Sequence, residues 1–246
     1  TNYPIHLKID TGMHRLGFQI EDIEKLINIL KEQKGLRVNS IFSHLSASES
    51  WKFDDFTHQQ INRFRHSAGI IEKELDHPIN KHILNSAGIE RFHDYEWDMA
   101  RLGIGLYGIS PSKLEGLQNV STLKSTILQI KNISQEETIG YGRNEKLNHD
   151  ARIATIRFGY ADGLDRKFGN RNGKVLINGE YAPIVGNVCM DLTMVDVTDI
   201  TAEEGDIAIL FGDKLTVTDL AESIGTIPYE ILTSVSPRVK RVYVKE

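Results

Sequence analysis

Strands and amphipathic helices alternate up to about residue 112, and this alternation constrains the fold more than any other feature of the sequence. Apolar and polar side chains alternate over residues 5–10, which is the period of a strand. Residues 21–34 and 54–75 instead carry apolar side chains at helical spacing. Strands that alternate with such helices form βα units on a parallel sheet. The first part of the chain is therefore predicted to have an α/β fold.

Each of the four predicted strands in this part is followed by polar groups. They are Arg15 after residues 5–10, His44 after 36–42, Asn85 and Ser86 after 82–84, and Arg101 after 97–99. Any one of them has a structural explanation, as a surface charge, a hydrogen-bonded core histidine or a helix cap. Their shared position at strand ends, where (β/α) barrels hold their active sites, favours a functional site.

A segment with two glycines follows the last of these groups. Gly103 and Gly105 flank Ile104 and leave the backbone N–H groups of the segment accessible. Phosphate groups bind to such N–H groups in glycine-bearing loops near helix N-termini. Together with the hydroxyl of Ser86, the segment therefore predicts a phosphate site.

The pattern changes near residue 112, and from about residue 120 onward the chain is rich in predicted strands. These strands cover residues 122–133, 152–158, 174–177, 192–197 and 207–211. We therefore expect two domains, an α/β domain over residues 1–112 and a β-rich domain over residues 113–246.

Two local signals in the second part have a defined geometry. Asn178 and Gly179 stand between two strand-like runs and predict a two-residue hairpin. Residues 218–223 predict a short helix, which either Thr216 or Thr218 caps.

Charge and composition exclude several classes of partner. The net charge is −5, with no basic block, which argues against nucleic acid. No apolar run is long enough to span a membrane and no secretory signal is present. Cys189 is the only cysteine, so no internal disulfide is possible. We expect a cytoplasmic protein that holds no metal and binds neither nucleic acid nor membranes.

Six strings in the sequence resemble those of alanine racemases, the pyridoxal 5′-phosphate (PLP) enzymes that interconvert L- and D-alanine. In chain order they are KIDTGMHRLGF (8–18), TIGYG (138–142), GYADG (159–163), GNVCMD (186–191), PYEIL (228–232) and SPRVKR (236–241). The resemblance covers residues 5–243 and keeps the family order. It implies the second half of a PLP-binding (β/α)₈ TIM barrel, followed by a β-rich C-terminal domain.

The resemblance also implies which residues bind the cofactor. Ser86, Gly103, Ile104 and Tyr229 match positions that bind the PLP phosphate, with Asn85 beside them. Arg101 matches the arginine that hydrogen-bonds the pyridine nitrogen, and His44 the residue that orients it. A guanidinium does not give up its proton, so the ring beside it is a poorer electron sink than one beside an aspartic acid.

The remaining matches concern the substrate. Tyr141 matches the second catalytic base, although a tyrosine between glycines also fits an exposed hairpin aromatic. Arg15 matches the arginine near this base and the substrate carboxylate, and Asp191 a neighbouring catalytic position. Met190 matches a residue whose backbone N–H binds the substrate carboxylate. Tyr160 matches a residue of the substrate corridor, with Arg166 nearby.

Three other positions have more than one interpretation. Lys8 matches a lysine that is carbamylated in some alanine racemases, or is an ordinary lysine paired with Asp10. Asp196 is interpreted as a strand-end residue. His14 stands where glycine is common, which resembles racemases fused to a peptidoglycan ligase domain.

A (β/α)₈ barrel has eight strands, and only about four are predicted here. We therefore expect the other four to precede residue 1. The resemblance implies that the lysine that forms the Schiff base with PLP precedes residue 1 as well. A chain of this extent is expected to be inactive alone.

The resemblance as a whole implies a PLP-dependent isomerase. It would interconvert L- and D-alanine, supply D-alanine for peptidoglycan, and form a head-to-tail homodimer whose active sites are shared between subunits. The alternatives are a PLP-dependent racemase or decarboxylase of another amino acid, and a non-catalytic dimerisation module.

Overall fold

The computed structural model describes residues 2–244, and the chain divides into two compact units. The first unit extends to Gln118 and the second begins at Asn119, close to the change in pattern near residue 112. Each unit has its own sheet and its own buried apolar residues. Among the described residues, no helix combines the length and the apolar character that crossing a bilayer requires.

The first unit alternates strands and helices as predicted. In chain order they are β1 (Tyr3–Lys8), α1 (Ile23–Glu32), β2 (Leu36–Phe42), α2 (Asp54–Leu75), β3 (Asn80–His82) and α3 (Ser86–Arg91). The three strands form one parallel sheet in the order β1-β2-β3. The predicted bounds of β2 and α2 are confirmed.

Alternation along β1 gives the sheet one apolar face and one polar face. Leu7 is buried in the hydrophobic core together with side chains of α1 and α2, among which Phe64 and Ile71 are fully buried. His6 and Lys8 point to the other face, because successive side chains of a strand alternate between faces. The apolar face thus fixes the sheet against its helices and leaves a polar face for chemistry.

The prediction of a fourth strand at residues 97–99 is wrong. This segment runs beside β3 but shares only separated main-chain bonds with it, from Asp98 N to Lys81 O (3.1 Å) and from Arg101 N to Leu84 O (2.9 Å). The carboxylate of Asp98 accepts the Lys81 N–H at 2.7 Å, which occupies the donor that a ladder would need. The third strand is also shifted, since β3 ends at His82, where the prediction began it.

The second unit is a closed barrel of six strands. Its strands are β4 (Leu123–Ile133), β7 (Ala151–Ile156), β8 (Lys174–Ile177), β9 (Glu180–Val185), β10 (Thr193–Asp196) and β11 (Ile207–Phe211). They close in the order β10-β7-β4-β11-β8-β9. A small separate hairpin pairs β5 (Thr138–Ile139) with β6 (Glu145–Lys146), and the helices α4 (Val217–Ile224) and α5 (Pro228–Ser234) follow the barrel.

Both local predictions in this unit are confirmed. Ile177 pairs with Glu180 across the turn, and both turn residues have positive φ, 50° at Asn178 and 90° at Gly179. Positive φ at both central positions matches the right-handed twist of a hairpin. Thr216, not Thr218, caps α4, in a capping box in which its side chain accepts the Asp219 N–H.

Candidate active site

A half-buried guanidinium lies beside the carboxyl ends of β2 and β3. Arg101 Nη2 donates to the carbonyl oxygens of Ser43 at 2.6 Å and Ile83 at 3.2 Å. Its Nη1 donates to Nδ1 of His82 at 2.5 Å. His44 Nδ1 lies 3.5 Å from Nη2. The two segments that follow β2 and end β3 therefore hold the Arg101 side chain in one place.

All of these partners are uncharged acceptors. Within residues 2–244, no carboxylate pairs with Arg101, and its Nε–H has no acceptor. Burial lowers the pKa of Arg101, because removal from water disfavours its charged form. A cation in this position can still donate one N–H to a ligand.

Two histidines beside Arg101 are neutral. Burial, and then the charge of Arg101, lowers the pKa of His44 to about 4 and that of His82 to about 4. His82 Nδ1 accepts from the guanidinium, so its own proton sits on Nε2, 3.3 Å from Ser40 Oγ. The Ser40 hydroxyl in turn meets Nδ1 of His6.

Sequence reasoning missed the role of His82. The signal for it is the alternation of side chains along a strand. Because β1, β2 and β3 pair in parallel register, each strand brings a polar residue to the same face of the sheet. His82 pairs in register with Phe42, and the two rings stack with centroids 5.2 Å apart.

Ser86 organises the predicted phosphate site. It is the first residue of α3 and is nearly fully buried, and its Oγ accepts N–H bonds from Gly103 at 2.9 Å and from Gly105 at 3.3 Å. Ile104 begins a short 3₁₀ turn, and its N–H has no acceptor among the described residues. Asn85 caps α3 by accepting the Gly88 N–H at 2.9 Å. This cap fixes the position of Ser86.

The loop after β1 is built around one carboxylate. Oδ1 of Asp10 accepts the N–H groups of Gly12, Met13 and His14, each at 3.0 Å. Burial raises the pKa of Asp10, but these backbone hydrogen bonds outweigh it and lower the pKa overall. Arg15 follows and is exposed.

Lys8 is half-buried, with its Nζ 6.0 Å from the centre of the Phe42 ring. Its interpretation as the ion-pair partner of Asp10 is wrong, since the Asp10 carboxylate is engaged by its own turn and by His14.

In the second unit, Tyr141 stands at the tip of the β5–β6 hairpin and is 72% exposed. The flanking glycines have positive φ, 73° at Gly140 and 76° at Gly142, a conformation that few other residues adopt. Nδ2 of Asn187 donates to the Tyr141 carbonyl at 2.8 Å. The hairpin tip is therefore fixed to the loop before β10 while the phenol ring projects outward.

An ion-pair cluster anchors the base of the same hairpin. Glu145, in β6, is buried, and its Oε1 accepts from Arg171 Nε at 2.9 Å. Arg171 also reaches Asp196, the last residue of β10, at 3.2 Å. Burial raises the pKa of Asp196, but hydrogen bonds from Thr198 and Arg171 outweigh it and lower the pKa overall. This arrangement supports the interpretation of Asp196 as a strand-end residue.

Two further loops of the second unit lie together. The N–H of Tyr160 donates to the Cys189 carbonyl at 3.0 Å, and that of Ala161 to the Met190 carbonyl at 2.9 Å. Met190 is 54% exposed, and its own N–H has no acceptor within residues 2–244. The Asp191 carboxylate accepts from Arg238 Nη2 at 2.6 Å.

The other predicted residues of the second unit are also accessible. Tyr229 lies in the first turn of α5 and is 48% exposed, and Arg166, the first residue of a 3₁₀ turn, is also exposed. Across the described residues, no group of three or more histidine, cysteine and acidic side chains is arranged to hold a metal ion.

Two family models match the chain. Residues 1–111 match the N-terminal domain of alanine racemase, and residues 120–243 match its C-terminal domain. Alanine racemase 2 of Caldanaerobacter subterraneus is 39% identical over 250 residues, which cover 98% of this chain and 64% of that protein. Alanine racemase of Helicobacter pylori strain J99 is 41% identical over 262 residues, covering 98% of this chain and 67% of that protein. The chain thus spans about two thirds of these relatives.

Solved structures agree with these matches. Alanine racemase from Bartonella henselae with covalently bound pyridoxal phosphate has a TM-score of 0.88 and 32% identity, over 98% of this chain and 66% of that one. Alanine racemase from Streptomyces lavendulae has a TM-score of 0.92 and 30% identity, over 100% of this chain and 67% of that one. The chain therefore belongs to the alanine racemase family.

Proposed function

We propose that the protein interconverts L- and D-alanine with PLP as its cofactor. The observation that carries this proposal is the environment of Arg101, a fixed cation with no carboxylate partner among the described residues and with one unused N–H. Such a group fits an uncharged ring nitrogen that accepts a hydrogen bond. An aspartate or glutamate paired with Arg101 would have argued against this fit.

The residues around Ser86 fit the phosphate of PLP. The N–H of Ile104 has no acceptor among the described residues, and the Ser86 hydroxyl, which accepts from Gly103 and Gly105, keeps its own proton to donate. Accessible N–H groups at the start of a helical turn attract a phosphate anion. Asn85 contributes by fixing Ser86, and Tyr229, by its match to the family, is a further phosphate contact.

When bound, PLP supplies an electron-accepting ring that makes the α-proton of an attached amino acid easier to remove. Arg101 would hold the ring nitrogen with a proton that it does not release, and the neutral imidazoles of His44 and His82 keep the guanidinium in place. This partner would limit the charge that the ring accepts and so disfavour reactions other than racemisation.

Proton transfer on one face of the bound substrate is assigned to Tyr141, whose phenol oxygen removes or delivers the α-proton. The Met190 N–H and the Arg15 guanidinium bind the substrate carboxylate, because both are accessible donors. Tyr160 and Arg166 line the approach to the site. Lys8 carries a cation, or a carbamate if it is modified as in some relatives, on the polar face of β1.

The assembly and the biological role belong to the same proposal. We infer a head-to-tail homodimer in which Tyr141, Met190 and Asp191 of one subunit serve the PLP of the other. The product would be D-alanine for peptidoglycan, made in the cytoplasm.

The test follows the α-proton. The protein is expressed from start codon to stop codon, saturated with PLP and given L-alanine in D₂O. We expect D-alanine to form and deuterium to enter Cα, as read by chiral chromatography and NMR. Tyr141→Phe should lower the rate by roughly 10²- to 10⁴-fold, because one proton-transfer group is lost.

The matched control is Tyr181→Phe. Tyr181 is also an exposed tyrosine of the second unit, but its hydroxyl donates to the Lys214 carbonyl, and we expect normal rates from this variant. Absence of interconversion in the PLP-loaded protein would refute the proposal. Normal rates in Tyr141→Phe would refute the role of Tyr141.

A further inference from the structure

One arginine near the end of the chain joins the two loops that carry the proposed substrate contacts. Nε of Arg238 donates to Asp162 Oδ1 at 2.7 Å, and Nη2 donates to Asp191 Oδ1 at 2.6 Å. Both distances are short, as expected of charge-assisted hydrogen bonds. The hydrogen bonds that Arg238 donates to Asp162 and then to Asp191 raise its pKa above the ordinary value. Arg238 is thus held as a cation between two anions on separate loops.

The two loops are already in close contact. Tyr160 and Ala161 donate their N–H groups to the carbonyls of Cys189 and Met190. A Cβ at Gly159 would lie 2.4 Å from those same two carbonyl oxygens, so only glycine allows this approach. The position of the Met190 backbone is therefore coupled to that of Tyr160.

The segment that carries Arg238 is fixed to the first of these loops independently of the guanidinium. Ser236 N donates to the Asp162 carbonyl at 2.9 Å, and Ser234 Oγ donates to the Gly163 carbonyl at 2.9 Å. A Cβ at Gly163 would lie 2.3 Å from the Ser234 carbonyl oxygen. The terminal segment therefore offers a stable support from which the arginine reaches across to Asp191.

We propose that Arg238 is a positioning residue that holds the loop of Tyr160 and the loop of Met190 and Asp191 in their substrate-binding arrangement. Asp191 acts through this ion pair rather than as a proton donor or acceptor. This inference rests on the proposed function, since it assumes that the Met190 N–H binds the substrate carboxylate.

The first test measures loop opening and does not depend on activity. Amide hydrogen exchange is compared, by mass spectrometry of the native protein, for Arg238→Met and for Lys240→Met. Lys240 is an exposed cation in the same segment and serves as the matched control. We expect exchange in peptides covering residues 159–164 and 187–192 to be about fivefold faster in Arg238→Met, and unchanged in Lys240→Met.

The second test uses steady-state kinetics of the PLP-loaded protein. Arg238→Met should raise KM for alanine about tenfold and change kcat by less than about threefold, because binding contacts are displaced while the proton-transfer group stays. Arg238→Lys keeps the charge but cannot bridge both carboxylates. Its KM should therefore lie between that of the wild type and that of Arg238→Met.

If Arg238→Met does not fold, Asp191→Asn keeps the arginine and weakens one pair, and the same peptides should again exchange faster. Equal exchange in Arg238→Met and Lys240→Met, or a loss confined to kcat, would overturn the proposal. Absence of racemisation in the wild type would refute the proposed function alone, because the exchange measurement still tests the ion pairs.

Discussion

At the scale of single residues, the neutrality of two histidines follows from their burial and then from the charge of the half-buried Arg101. His44 and His82 both lie against Arg101, and protonation of either would bring a second positive charge into a half-buried space. Removal from water and repulsion by Arg101 act in the same direction on each imidazole. The pair therefore accepts hydrogen bonds from the guanidinium and does not compete with it for a ligand.

This arrangement makes stability depend on pH. In the folded state both histidines remain neutral down to about pH 4, whereas an unfolded histidine gains its proton near pH 6.5. Between these values the unfolded state binds more protons, so stability falls as the pH decreases from about 6.5 to about 4. Urea unfolding at a series of pH values should show this decrease, and His82→Gln should make it shallower.

His149→Gln is the control, since His149 is exposed and its ring bonds to the side chain of its neighbour Asn148. It should keep the pH dependence of the wild type. A His82→Gln variant with the same pH dependence as the wild type would show that His82 is protonated in the folded state as readily as in the unfolded one.

At the scale of elements, the loop after β1 depends on a close backbone approach. Gly17 has a φ of 126°, and a Cβ there would lie 2.8 Å from Asp10 N. The main chain on either side is paired, with Asp10 N donating to Phe18 O and Phe18 N to Lys8 O, both at 2.8 Å. The loop that carries Arg15 therefore closes onto the end of β1 only if residue 17 has no side chain.

Gly17→Ala should therefore destabilise the protein through both backbone strain and a clash with main-chain atoms. Gly179→Ala provides the comparison, because its φ is 90° but a Cβ there would meet nothing within 4 Å. We expect a loss of about 1 kcal/mol for Gly179→Ala and of more than about 2 kcal/mol for Gly17→Ala, from urea unfolding. Equal losses would mean that the loop moves away to accommodate the methyl group.

The spacing of apolar residues correctly predicted those helices and strands whose structure is determined by their own local sequence. The helix α2 and the strand β2 have long, regular patterns, and Asn178 and Gly179 supply the φ values of the hairpin. The strand predicted at residues 97–99 failed because the Asp98 side chain takes the donor of the neighbouring strand. A pattern of apolar residues does not reveal that competition.

Closure of the second sheet into a barrel also escaped prediction. It depends on the pairing of β10 with both β7 and β9, and the β10–β7 pairs, such as Val195 with Ala154, join residues far apart in the sequence. Similarly, Arg171 reaches Glu145 and Asp196 only because the barrel brings them together. Short sequence motifs therefore indicated exposed residues at loop tips, such as Tyr141. They did not indicate the ion pairs that hold those loops in place.

At the scale of the whole molecule, the proposed site residues divide between the two units. Arg101, His44 and Ser86 belong to the first unit, whereas Tyr141 and Met190 belong to the second. The order of motifs along the chain predicts the same division. Only the resemblance to alanine racemases, and no pattern in the residues themselves, implies that the two groups meet across a dimer, because that arrangement depends on assembly.

Two variants, each defective in a different unit, distinguish these arrangements. Arg101→Glu removes the cation from the first unit, and Tyr141→Phe removes the phenol from the second. Both homodimers should be nearly inactive with PLP and alanine. Heterodimers are isolated with a different affinity tag on each variant, and their turnover is compared with that of the wild type.

If Tyr141 serves the partner subunit, one site of the heterodimer combines both substitutions and the other has neither. The purified heterodimer should then recover about half of the wild-type rate. If Tyr141 serves its own subunit, every site carries one substitution and no activity returns. A heterodimer that forms, binds PLP at its Tyr141→Phe subunit and remains inactive would thus refute sharing across the interface, while leaving the chemistry assigned to each residue intact.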